Sequence, residues 1–294
     1  MRKIFSWQLL PSVIGKRSRL LPSNSAFSTT YFGDQPVNED EKQRRVFHVF
    51  QNVARKYDIM NDVMSFGIHR LWKDCFVKQI MPTRNLTFLD VAGGTGDIAF
   101  RIYKFSRHSR QAVSADTPIT TGPNITLCDI NPAMIEVGKA KAEKAGISDI
   151  RWVVGDAERL PFPDNSFDVY TIAFGIRNCT HIDLVLDEAY RVLKPRGRFF
   201  CLEFSQVITP LFRGLYDAYS LRIIPVIGQL VAGDWASYQY LVESIRRFPN
   251  QSEFSELIQD AGFSSVQVIN YSNGICAVHS GFKEPLHLKT GSLP

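Results

Sequence analysis

Phe88, Leu89 and Val91 form a short apolar run, interrupted only by Asp90, that reads as a strand buried on both faces. Three glycines follow, Gly93, Gly94 and Gly96, and then a helix-compatible stretch over 98–103. Upstream, Val46, Phe47, Phe50, Val53, Ala54 and Tyr57 recur at helical steps. They predict an amphipathic helix over 38–58, with Glu39, Asp40 and Glu41 at its positive N-terminal end. A second helix is expected over 68–81, with Tyr57, Asp58, Asn61 and Asp62 as a polar cluster between the two. Downstream, apolar runs predict strands over 125–128, 151–154, 167–173 and 198–203, alternating with helices over 132–145 and 182–193. Such alternation implies parallel pairing through right-handed crossovers, hence a doubly wound α/β sheet. A helix over 252–261 and strands over 266–271 and 275–279 close the fold. Only Ser272, Asn273 and Gly274 separate those two strands, which forces an antiparallel hairpin. The expected sheet is therefore seven-stranded and mostly parallel, with an antiparallel last strand. Two stretches break the rhythm. Residues 104–124 are polar and aperiodic and read as a surface insertion, whereas 205–250 read as a helical, aromatic-rich insertion before strand six.

Composition narrows the class. At 294 residues, 45% apolar and 21% charged, the chain is an ordinary globular protein of one substantial domain. The net charge of +5 is unevenly placed. Residues 1–33 carry Arg2, Lys3, Lys16, Arg17 and Arg19 and no acid, so the remaining 29 bases balance the 29 acids. A neutral folded part argues against nucleic-acid binding. The same segment is Ser-rich and interspersed with Ile4, Phe5, Trp7, Leu9 and Leu10, the composition of a mitochondrial or plastid transit peptide. The five cysteines (Cys75, Cys128, Cys179, Cys201 and Cys276) show no C-x-x-C pair and no metal-ligand spacing. No metal is expected, and the wide spacing suits a reducing compartment. The longest apolar stretch, 211–231, contains Arg213, Asp217 and Arg222 and falls short of a membrane span.

The glycine turn is the candidate cofactor cradle. Glycines let a ligand approach the backbone, and the helix start offers unpaired N–H donors. Gly94-x-Gly96-x-x-Ala99 fits the dinucleotide pattern, so the turn alone is compatible with NAD(P) and with S-adenosylmethionine. Asp90 and Asp97 flank it with carboxylates, which would repel a pyrophosphate and attract the ammonium of a methionine moiety. Asp129, at the end of the second strand, is positioned to accept hydrogen bonds from ribose hydroxyls.

The motifs DVAGGTGD, CDIN, GDAERLPFPDNSFD, FGIRN, LEFS, GDWASYQYLVESIRRFP and the closing SGFK together resemble the ubiquinone/menaquinone C-methyltransferase family, over roughly 46–283. The resemblance implies a class I fold binding S-adenosyl-L-methionine through Gly94, Gly96, Thr95, Asp90, Asp129, Asp156 and Ala157. Asp156 would take the adenine amino group and the Ala157 N–H a ring nitrogen. Ala173 aligns with a further contact that could only use backbone, and the absence of an Asp-Pro-Pro-Tyr signature over 173–178 fits a carbon acceptor. On the acceptor side it implies Arg177, in an electrostatic role, with Asn178 and Tyr57; Asp58, His69, His181 and Asp234 are further candidates.

The implied activity is C-methylation of a polyprenyl benzoquinol in coenzyme Q biosynthesis. Another phenolic or sterol acceptor, or a non-catalytic scaffold, are the alternatives. The implied setting is a multi-subunit coenzyme Q biosynthesis complex on the matrix side of the mitochondrial inner membrane, with a homodimer left open. Residues 1–33 would be the transit peptide, 34–283 the methyltransferase domain and 284–294 a tail. Within the domain, 205–250 would cover the acceptor and touch the membrane, with Pro225 as a kink. One residue departs from the family pattern: Arg196 stands where a Pro-Gly-Gly turn has glycine.

Overall fold

The computed structural model of the chain describes residues 29–53, 57–108, 124–210, 212–214, 218 and 235–285. It opens with a two-stranded antiparallel hairpin, β1 (Thr29–Phe32) and β2 (Gln35–Asn38), that leads into α1 (Glu39–Val53). Then come α2 (Tyr57–Ser65), α3 (Ile68–Ile80), β3 (Thr87–Val91), α4 (Asp97–His108), β4 (Asn124–Asp129), α5 (Pro132–Lys144), β5 (Ile150–Val154) and β6 (Phe167–Ala173). A 3₁₀ turn (Ile176–Asn178), α6 (Ile182–Val192), β7 (Leu193–Phe204), α7 (Trp235–Arg247), α8 (Gln251–Asp260), β8 (Phe263–Tyr271) and β9 (Cys276–Lys283) complete it.

Strands β3 to β9 form one seven-stranded sheet in the order β5-β4-β3-β6-β7-β9-β8. β3 to β7 pair in parallel, and β9 runs antiparallel to both its neighbours. The chain steps outward from β3 to β5, then returns to β6 on the other side of β3. That reversal leaves a crevice at the carboxyl ends of β3 and β6, where ligands bind in open α/β sheets. Strand alternation divides the core between two faces. Phe88, Ile125, Val169 and Phe200 point toward α3 and α4, packing on Phe76, Ile80, Ile98 and Ile102. Leu89, Tyr170, Ile172 and Phe199 point the other way, toward Val185, Leu186 and Ala189 of α6 and Phe254 and Ile258 of α8.

The expected sheet is present, with several revisions. Of the helix expected over 38–58, α1 covers Glu39–Val53 and 54–56 lie outside the described residues, while Tyr57 and Asp58, expected in a polar cluster between helices, stand in α2. Asp58 in the first turn of α2 suits the positive helix end. α4 runs to His108, so the polar stretch expected from 104 begins in helix; 109–123 lie outside the described residues. The hairpin was not expected, and its first strand falls within the segment assigned to targeting. Strand five starts earlier than expected. Leu193 pairs with Phe167 and Arg198 with Val169, so 194–197 bulge out of a strand rather than precede one. Residues 211, 215–217 and 219–234 of the 205–250 insertion, with Arg222, Pro225 and Asp234 among them, lie outside the described residues.

Candidate active site

After β3 the chain turns through Ala92, Gly94 and Gly96, with φ of 49°, 55° and 91°. Glycine adopts such angles without steric cost. At Gly96 space also forbids a side chain, since a Cβ there would stand 2.9 Å from the Phe100 ring. The neighbouring strand braces the turn. The Gly94 N–H donates to Asp129 Oδ2 and the Asn131 N–H to Asp129 Oδ1, each at 2.8 Å. Asp129 is buried, and burial pushes its carboxyl above the ordinary range although both N–H donors act the other way. Each oxygen accepts one main-chain bond and keeps a lone pair for a ligand hydroxyl.

The flanking carboxylates behave differently from expectation. Asp97 is paired with Lys73 at 2.7 Å and Arg101 at 2.9 Å, so little of its charge is left for a ligand. Burial opposes its ionisation, but those two cations outweigh it and hold the carboxyl below its usual range. Asp90 lies buried under the turn, where the Thr171 hydroxyl donates to it at 2.8 Å and burial raises its pKa to about 7. Neither carboxylate is an open negative charge at the turn: Asp97 is neutralised by its neighbours and Asp90 is sunk in the core. Thr95 accepts a hydrogen bond from Lys141 Nζ at 2.9 Å, and the same ammonium pairs with Asp58. Asp58 thus ties α2 to α5 and the turn.

A cavity of 330 Å³ opens at the carboxyl ends of β3 to β6, within the range of small-molecule sites. Gly94, Asp129, Asp156, Ala157, Ala173 and Asn178 line it, joined by Val46, Phe47 and Phe50 of α1. The Asn131 amide donates to the Phe47 carbonyl at 3.2 Å, tethering α1 to the rim. Asp156 is fixed by the Glu158 N–H at 2.9 Å. Arg177, Thr95, Gly96 and Asp90 are not among the residues lining this cavity. The Tyr57 side chain and Asp234 lie outside the described residues. His69 is buried, bonds Asp62 at 2.8 Å and is not among the residues lining the cavity.

The 3₁₀ turn after β6 adds Asn178 to the cavity lining. Arg177 is 5% exposed and pairs with Glu203, itself 1% exposed, at 2.7 Å. Its guanidinium also donates to the Phe174 carbonyl at 2.7 Å and lies over the Phe204 ring. Asn178 accepts from the Tyr240 hydroxyl, and the Cys179 carbonyl accepts from the buried Lys42 ammonium at 2.8 Å. His181 bridges Glu158 at 2.8 Å and Glu39 at 3.1 Å, fastening α1 to the same turn. Lys42, Glu203 and Tyr240 were missed from the sequence. The LEFS motif holds Glu203, but nothing in its spacing points to Arg177.

A mostly parallel seven-stranded sheet with one reversed strand, a glycine turn after its central strand and an acceptor carboxylate after the next define a class I methyltransferase fold. The chain belongs to the ubiE/COQ5 methyltransferase family, whose sequence model matches residues 38–283. It is 55% identical over 276 residues to the mitochondrial 2-methoxy-6-polyprenyl-1,4-benzoquinol methylase of Danio rerio, covering 87% of this chain and 84% of that one. The Homo sapiens protein of the same name is 51% identical over 287 residues, covering 90% and 88%. Among solved structures, a SAM-dependent methyltransferase of Thermotoga maritima superposes with a TM-score of 0.56 at 19% identity, covering 81% of this chain and all (100%) of that one. The [4+2]-cyclase SpnF gives 0.55 at 16% identity, covering 82% and 97%. At such identities the likeness speaks for the fold alone, and a cyclase among them illustrates why fold does not dictate chemistry.

Proposed function

We propose that this chain is an S-adenosylmethionine-dependent C-methyltransferase of coenzyme Q biosynthesis that methylates 2-methoxy-6-polyprenyl-1,4-benzoquinol to its 5-methyl product. The observation that carries the reading is one cavity lined both by Asp129 with Gly94 of the glycine turn and by Asn178. The residues fit the cofactor. Asp129 has one free lone pair per oxygen for the ribose hydroxyls, Asp156 can accept from the adenine amino group, and the Ala157 N–H can donate to a ring nitrogen. When bound, the cofactor supplies an electrophilic methyl group. Bound there, it would give that methyl to a ring carbon with loss of its own sulfur–methyl bond, and the ring proton would leave to solvent. Close alignment lowers the barrier, and donors facing the neighbouring oxygen stabilise its developing charge. Asn178 supplies such donors. Arg177 acts from behind the turn, lending a fixed backbone and a positive potential partly cancelled by Glu203.

A polyprenyl acceptor is too apolar to dissolve freely, so the enzyme must meet it at a bilayer or receive it from a partner. We assign the enzyme to the matrix side of the mitochondrial inner membrane, alongside the other enzymes of the pathway. Among the described residues no helix is long and apolar enough to cross a membrane. Ile208 and Phe212, 54% and 55% exposed, stand beside Arg213 and support contact with a lipid surface. The test is calorimetric titration of wild type and Asp129→Ala with S-adenosylmethionine and with NADH. Wild type should bind only the former, and the substitution should weaken it by about 1–3 kcal/mol, from lost hydrogen bonds to ligand and turn. NADH binding without S-adenosylmethionine binding sinks the reading.

A further inference from the structure

Three successive residues at the end of the 3₁₀ turn are gripped by three different elements. Arg177 is held by Glu203 of β7, Asn178 by Tyr240 of α7 and Cys179 by Lys42 of α1. The Lys42 grip acts on a backbone carbonyl, and the Glu203 grip on a side chain that does not line the cofactor cavity. Only Tyr240 reaches a side chain that does.

The Tyr240 hydroxyl donates to Asn178 Oδ1 at 3.1 Å. A carboxamide has one acceptor oxygen and two N–H donors, so engaging the oxygen fixes which way the donors point. Tyr240 is 4% exposed, and its ring stacks on Phe32 of the N-terminal hairpin, with centroids 4.2 Å apart and planes within 12°. The Arg45 guanidinium lies over the Phe32 ring at 5.5 Å and hydrogen-bonds Gln35 across the hairpin. The hydroxyl therefore has little freedom to turn elsewhere. Burial also pushes its pKa up, keeping it a donor throughout the working range.

We propose that Tyr240 is a positioning residue for methyl transfer, orienting the Asn178 amide so that its N–H donors face the acceptor oxygen, with the hairpin residue Phe32 as its backstop. The inference rests on the reading that Asn178 faces the acceptor. It gives the hairpin a part in the reaction although no hairpin residue lines the cofactor cavity.

The experiment compares Tyr240→Phe, Asn178→Ala, Asn178→Asp and the Asn178→Ala/Tyr240→Phe double variant, all in the full chain with quinol acceptor. Tyr240→Phe keeps the ring and its stacking and removes one oxygen. It should lower kcat about tenfold to a hundredfold, less than losing a whole oxyanion donor, with S-adenosylmethionine affinity within about twofold. The double variant should be no slower than Asn178→Ala alone, because Tyr240 acts through that amide. Asn178→Asp can still accept from Tyr240 but offers no donor, so it should be as impaired as Asn178→Ala. A merely structural bond would instead be preserved in Asn178→Asp, and activity with it. Additive losses in the double variant, or a fully active Tyr240→Phe beside an impaired Asn178→Ala, overturn the proposal alone. An Asn178→Ala variant of normal turnover overturns the underlying acceptor-side reading as well. Phe32→Leu, which leaves every hydrogen bond in place, should reproduce a smaller part of the Tyr240→Phe loss; wild-type turnover there removes the hairpin from the proposal.

Discussion

The two walls of the cavity are built in different ways. On the cofactor wall, Asp129 takes its bonds from the main-chain N–H groups of Gly94 and Asn131, and Asp156 takes one from Glu158. Those contacts belong to two strand ends and the turns that follow them. On the wall proposed for the acceptor, the bonds come from side chains far away in sequence: Lys42 is 137 residues from Cys179, and Glu39 is 142 residues from His181. The first wall is a property of backbone geometry and forms once the sheet forms. The second exists only when α1 and α7 have docked, and it depends on buried charge. Damage should therefore be separable, with variants of one wall leaving the other's ligand affinity nearly intact.

The largest effect should come from Arg177. Removing it strands Glu203, whose carboxyl burial pushes above the ordinary range while that guanidinium pulls the other way. Leaving an unpaired buried charge costs about 3–5 kcal/mol, so Arg177→Ala should melt on the order of 10 °C lower. Replacing both partners, as Arg177→Met/Glu203→Leu, should recover most of that stability, because apolar side chains remove the stranded charge. Calorimetry and turnover on the same samples then answer separate questions. If stability returns and methyl transfer does not, Arg177 has the electrostatic part assigned to it. If both return, the pair only holds the turn.

Legibility from sequence follows the same divide. Strand ends with glycine or aspartate announce themselves through local spacing, which is why Gly94 and Asp129 could be placed; Asp156 and Ala157 came only with the family resemblance, and all four line one cavity. The hairpin could not be read. Its strands, TTYF and QPVN, are too short for a period to emerge, and its packing depends on Tyr240. Nor could the fate of Asp97, which looked like an open charge until helix packing brought Lys73 against it.

Arg196 is an intermediate case, because a departure from the family pattern marked it and its conformation explains why. Its φ of 67° lies in the left-handed region, at the bulge between Leu193 and Arg198. A non-glycine residue there carries strain of about 1 kcal/mol. Arg196→Gly should therefore raise the melting temperature by about 2–4 °C. The bulge touches neither wall of the cavity, so kcat and cofactor affinity should stay unchanged. An unchanged or lower melting temperature would mean that arginine makes compensating contacts at this turn.

The smallest effect, and the one that probes how α1 is held, concerns His181. Burial draws its pKa down, but Glu158 and then Glu39 outweigh that and raise it above the ordinary imidazole value. The folded pKa is raised above the unfolded one, so the stabilisation is fully present below about 6.5 and is lost as pH climbs through the folded value. Glu158 is also held by the Thr180 and His181 N–H groups, so its place in the turn survives deprotonation. The Glu39 arm loses the imidazolium charge, while the bond from Lys42 to the Cys179 carbonyl still docks α1 on this turn. The imidazole is partly exposed, so the pair is worth at most about 0.5 kcal/mol, too little to see in a global melt. Local opening is the sensitive measure. Amide exchange in α1, corrected for intrinsic rate, should show less protection at pH 9 than at pH 6, while β3 and β4 show no difference. His181→Gln keeps a neutral hydrogen-bonding group and should flatten the pH dependence in α1, leaving cofactor-wall protection untouched. Equal protection at both pH values in wild type would show that Lys42 and the Asn131 tether hold the helix without the histidine.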